Sequence, residues 1–100
     1  MKQIILNELD ETLDDYLVQN IDVVYSAVLE SIEKKYLEKE VSEVRVLEIL
    51  SGTEKNYVNL DKNDWVMILE RALKYFERAD VEEYEKCARC LNIINHLKTT

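Results

Sequence analysis

The chain has 100 residues, with one glycine and no proline, against average usage of roughly 7% and 5%. Tight turns and phosphate-cradling loops draw on these residues, so a β sandwich, a β barrel and a glycine-loop nucleotide fold are all disfavoured. Hydrophobic residues make up 47%, enough for a core, and 13 basic against 21 acidic residues leave a net charge of −8; the composition reads as one soluble, acidic, all-α domain over residues 1–100.

Five helical segments are predicted. Ile5, Leu6, Leu9, Leu13, Tyr16 and Leu17 recur in steps of three and four, the spacing of a helix face. Asn20 or Asp22 offers an N-cap for a second helix, whose stripe is Ile21, Val24, Tyr25, Val28, Ile32 and Tyr36 and whose end is expected near Lys39. Val41, Val44, Leu47 and Leu50 fit a short third helix opened by Ser42 and closed by Gly52. A β hairpin over 44–58, turning at Ser51-Gly52-Thr53, is the alternative. Leu47 and Leu50 break strand alternation, so the helix is preferred, with a loop over 53–60.

The last two helices are more strongly written. Asp61 is an N-cap with Asp64 as an imperfect capping-box partner, and Leu60 and Trp65 form a hydrophobic staple. Trp65, Ile68, Leu69, Ala72, Leu73, Phe76 and Ala79 form one stripe, with Trp65, Leu69, Leu73 and Phe76 expected in the core. Asp80 caps the next helix with Glu83 as partner, and the two helices fold back as a hairpin. The final stripe, Tyr84, Cys87, Ala88, Leu91, Ile94 and Leu97, is widened by Cys90 and Ile93, which points to burial on more than one side or to a partner.

Within this hairpin, Tyr84-Glu85-Lys86-Cys87-Ala88 places an aromatic, an acid, a base and two small residues in sequence, followed by Ile94 and Leu97. The stretch from Arg71 to Leu97 resembles the UVR-type helical hairpin of bacterial excision-repair and stress-protease adaptor proteins. It departs from that pattern where an Arg-Asp pair usually stands, here Leu91-Asn92. The resemblance implies a protein-docking hairpin with Phe76, Tyr84 and Leu91 near the contact.

Few residues suit catalysis. Cys87 and Cys90 form a C-x-x-C about two turns inside the predicted last helix, too deep for the helix dipole to activate the first thiol. His96 is the only histidine, and one C-x-x-C is half of a zinc site, so a metal would need two chains. The thiols are read as buried and reduced, His96 as a surface group, and neither metal nor cofactor nor enzyme activity is expected. No signal peptide or membrane span is recognised. A cytoplasmic setting follows, with a Lys, Glu, Ile and Asn bias that suggests a bacterium or phage.

Charge is segregated. Residues 1–30 carry seven acids and one base, including Asp10, Glu11, Asp14 and Asp15, while the rest of the chain is nearly balanced. Such a face repels nucleic acid and anionic membrane and attracts a basic partner. Six tyrosines supply contact area, of which Tyr57, in the loop, and Tyr75, off its helix stripe, are the best contact residues, with Tyr84 and Leu91. The expected function is binding to a protein with a basic surface, as a phage-type inhibitor or modulator that occupies a nucleic-acid-binding surface. The alternative is a self-associating scaffold protein with a homodimer seam on the last helix.

Overall fold

The computed structural model describes residues 2–6, 13–78 and 81–99. It is a mixed α/β fold, not an all-α bundle. Strand β1 (Lys2–Leu6) is followed by helices α1 (Leu13–Gln19) and α2 (Ile21–Glu33), then by strands β2 (Glu43–Ser51) and β3 (Glu54–Asp61). A 3-10 turn at Lys62–Asp64 leads into α3 (Trp65–Glu77), and α4 (Tyr84–Lys98) ends the order. The sheet order is β1-β2-β3, with β1 parallel and β3 antiparallel to β2.

The helix expected over 41–52 is therefore corrected to β2, and the hairpin alternative describes this part of the chain. The alternation fails for a physical reason. The register runs from Arg45↔Asn59 to Leu47↔Val58, so Val46 is the extra residue of a β-bulge. A bulge lets two consecutive residues turn inward, and Val46 and Leu47 are both buried. Gly52 does adopt positive φ, at 60°, but as the first residue of a two-residue hairpin turn and not as a helix stop. That is the glycine position of a type II′ turn, whose twist suits the flanking strands. One glycine is thus enough for this sheet, because β1 and β2 are joined through helices and not through a second tight turn.

The first predicted helix is corrected as well. Ile5 and Leu6 belong to β1, and helix begins only at Leu13. Ile4 and Ile5 are β-branched and suit a pleated surface, and their partners, Ile49 and Leu50, lie far along the chain. The second helix ends at Glu33, short of Lys39, because the chain turns back through Lys35 N–H to Ile32 carbonyl and Glu38 N–H to Lys35 carbonyl bonds. Asn20 flanks it without a side-chain cap and instead donates to the Tyr16 carbonyl at 3.0 Å.

The start of α3 follows the sequence in part: Asp61 caps the 3-10 turn before it, while Asp64, the expected capping-box partner, makes no side-chain cap hydrogen bond. Asp61 accepts from Asn63 N–H at 2.9 Å, and the Trp65 indole N–H donates to the Leu60 carbonyl at 3.1 Å, fastening α3 to the end of β3. Asp80 lies outside the described residues, and α4 begins later than expected, at Tyr84 after Glu83. Between the helices Glu82 takes a left-handed φ of 48°, while Glu83 N–H reaches back to the Phe76 carbonyl at 3.0 Å.

One core joins the layers. α2 packs on β2, and α3 and α4 pack on α2 and on each other. Leu29 and Ile32 of α2, Trp65, Leu69, Ala72 and Phe76 of α3, and Cys90, Ile93 and Ile94 of α4 meet Ile4, Val44, Val46 and Leu47 of the sheet. Leu73, expected in the core, is only half-buried at its edge. Two side-chain ties lock α4 onto α2: Lys86 Nζ donates to Ser26 Oγ at 3.0 Å, and Arg89 grips Glu33 with both arms at 2.6 and 3.0 Å.

Leu69→Ala is expected to cost about 2–5 kcal/mol in urea unfolding, and Leu73→Ala clearly less, because Leu73 is half in water. The Arg89 guanidinium, chiefly by its hydrogen bonds, holds the Glu33 carboxyl below its ordinary value. A lowered carboxyl contributes stability above its ordinary range and loses it as pH falls through the lowered value. Arg89→Gln should therefore destabilise by at most about 1 kcal/mol at pH 7, given how exposed the pair is. That difference should shrink as unfolding is measured at progressively lower pH.

Candidate functional site

β2 is paired on both edges, so its side chains alternate between two faces of the sheet except at the bulge. The inner face carries Ile4, Val44, Leu47, Val58 and Leu60 under the helices. The register places Gln3 and Ile5 of β1, Arg45, Glu48 and Leu50 of β2, and Lys55, Tyr57 and Asn59 of β3 on the other face. Ile5 is 72% exposed and Tyr57 38%, and Gln3, Arg45, Lys55 and Asn59 are exposed too. Among the described residues, no element covers this face.

Its side chains are organised. The Arg45 guanidinium lies 4.3 Å from the centre of the Tyr57 ring, a cation–π contact across two strands. Lys55 Nζ sits 3.1 Å from Glu48, whose carboxylate raises the lysine above its ordinary value. Gln3 and Tyr57 flank Glu48 on either side, and Ile5 and Lys55 flank Leu50. The result is a preformed patch with an aromatic–cation centre and an apolar corner at Ile5 and Leu50, suited to non-covalent contact.

The predicted contact residues do not form one surface. Asp10 and Glu11 lie outside the described residues. Asp14 and Asp15 are on α1, where Asp15 is exposed. Tyr57 is on β3 and not in a loop, on the open face beside Arg45. Tyr75 is half-buried, its ring 5.4 Å from Tyr25 and 5.5 Å from Phe76. Tyr84 and Leu91 are 69% and 44% exposed on α4, in the helical layer on the opposite side of the sheet. Ile5, Arg45 and Lys55 were missed. Each lies on a different strand, and only the register puts them on one face.

The cysteines are core residues. α4 starts late enough to put Cys87 at the end of its first turn, closer to the helix N-terminus than its spacing suggested. Burial nevertheless pushes the Cys87 thiol up, with Glu77 adding to the effect, and pushes Cys90 up to about 11. Neutral thiols are poor nucleophiles and poor metal ligands. Among the described residues there is no group of three or more His, Cys, Asp or Glu that could hold a metal ion. Cys90 and Ile93, which widen the last stripe, are only 0% and 1% exposed within this single chain. His96 is half-buried against Tyr36 and not a free surface group.

No protein-family model, curated protein or solved structure matches the chain. The antiparallel pairing of α3 and α4 is present, but Phe76, which the UVR-type resemblance puts near a docking contact, is fully buried. No described helix is long and apolar enough to cross a membrane.

The raised thiols have a measurable consequence. A disulfide reagent such as DTNB should modify Cys90 in the native protein at least about tenfold more slowly than in urea at pH 7.5. The thiol's contribution to stability is full below its ordinary value of 9.0 and declines as pH rises toward about 11.

Proposed function

We propose that this chain is a binding protein, not an enzyme, and that it docks a partner protein on the open face of its sheet. The observation that carries the reading is the Arg45–Tyr57 stack, with Ile5 exposed on the same face at the opposite edge of the sheet. Tyrosine and arginine are the side chains that most often anchor interfaces, because each combines a large flat area with a directed polar tip. Holding them stacked before binding lowers the entropy lost on association.

The acidic excess supplies the long-range part. With a net charge of −8, of which residues 1–30 hold −6, the protein attracts a basic surface and speeds encounter with it. A partner that otherwise binds nucleic acid has such a surface, which makes this protein an inhibitor or modulator of it. The reading places it in the cytoplasm, where its thiols stay reduced. A second reading, self-association, is favoured by the outer edge of β1, next to Ile5, which no strand among the described residues pairs.

The test uses a partner captured from the native host and then purified. Tyr57→Ala should weaken binding at least about tenfold, the size of a true anchor, with an unchanged circular-dichroism spectrum. Neutralising Asp10, Glu11, Asp14 and Asp15 should slow association and flatten its salt dependence, with dissociation changing less. Unchanged affinity in both Tyr57→Ala and Ile5→Asp would overturn the sheet-face reading and direct attention to Tyr84 and Leu91. A concentration-dependent mass that Ile5→Asp abolishes would make a second copy the occupant.

A further inference from the structure

A pocket of about 580 Å³ lies away from the sheet's open face, lined by Tyr36, Leu37, Lys39, Lys62, His96 and Leu97. Its walls come from the turn after α2, the 3-10 turn before α3, and the end of α4. These lining residues include no carboxylate, although the chain has 21 acids. Glu38, next to Lys39 in sequence, is engaged by Lys35 at 3.6 Å. Lys39 and Lys62 form no ion pair with any described residue.

The pocket has a fixed floor and charged walls. The Tyr36 ring stands edge-on to His96, with centroids 5.2 Å apart and planes at 83°. Lys62 is held in place by its backbone N–H, which donates to the Ser42 carbonyl at 2.8 Å, and its ammonium lies 5.9 Å from the Trp65 ring. Leu37 leaves 66% of its surface in water at this site. Two lysines and a histidine thus line the same pocket as a tyrosine and two leucines. An apolar wall with a few directed polar groups is the usual make-up of a small-molecule site.

We propose that this pocket binds a small organic anion, a carboxylate on an aryl or alkyl body. Lys39 and Lys62 take the carboxylate by charge-assisted hydrogen bonds, and Tyr36, Leu37 and Leu97 cover the body. The acidic remainder of the protein repels anions, whereas the lining of this pocket holds two lysines and no carboxylate. The assignment is independent of the protein-docking reading.

The probe is phenylacetate, titrated into the full chain and followed by NMR at the ring signals of Tyr36 and His96. Saturable shifts at both rings are expected, weakened by added salt. Lys39→Gln/Lys62→Gln should raise Kd about tenfold while leaving the circular-dichroism spectrum unchanged. The uncharged 2-phenylethanol and the cationic phenethylamine should bind more weakly than phenylacetate. Inorganic phosphate, which lacks the apolar body, should do so as well. Absence of saturable shifts overturns the proposal. So does 2-phenylethanol or phosphate binding as tightly as phenylacetate, or a double variant with the wild-type Kd and salt response.

Discussion

β2 is hydrogen-bonded along both edges, in parallel to β1 and antiparallel to β3. Every other element takes its position from that strand. Its inner residues Val44, Val46 and Leu47 form the sheet's share of the core, and α2 lies across them. Near the end of β3, the Leu60 carbonyl accepts from the Trp65 indole, which ties the start of α3 to the sheet. α3 carries α4 back along itself, and Arg89 and Lys86 fix α4 onto α2. The helices are all engaged on one side, which leaves the opposite face of the sheet without a described cover. The open face is thus a result of how the core closes.

Local features of the fold were legible in the sequence. The Asp61 cap and the pairing of Leu60 with Trp65 involve residues within one turn of each other, so no knowledge of the rest of the chain is needed to find them. The stripe of Trp65, Leu69 and Phe76 reads correctly for the same reason. What failed depends on distant partners. Ile4 and Ile5 become strand only by pairing with Ile49 and Leu50. Val46 breaks the period of two because the bulge, a property of the β2–β3 pair, counts one residue twice. Tyr57 stood out by type and neighbourhood, but Arg45, its stacking partner, is on another strand and could be matched only through the register.

The charges divide into internal ties and outward groups. Glu33 with Arg89 and Glu48 with Lys55 are close pairs that join different elements. Lys39 and Lys62 instead face a pocket without lining carboxylates. Opposite tendencies therefore coexist on one small acidic surface: most of it repels anions, and one recess collects cations. The thiols take no part in this pattern, because burial keeps them neutral.

The parallel pairing of β1 has an implication for the order of assembly. The β2–β3 hairpin closes on itself through two turn residues, Gly52 and Thr53. β1 must wait for a partner reached only after α1 and α2, with Lys2 meeting Leu47 and Leu6 meeting Ser51. Closing so long a loop costs more chain entropy than closing a hairpin. On a ribosome, β1 emerges before β2 and docks only after β2 has appeared, so the strand bearing Ile5 waits as an unpaired, β-branched segment. One side of the open face is thus completed by a strand made before its partner, at one of the later steps of folding.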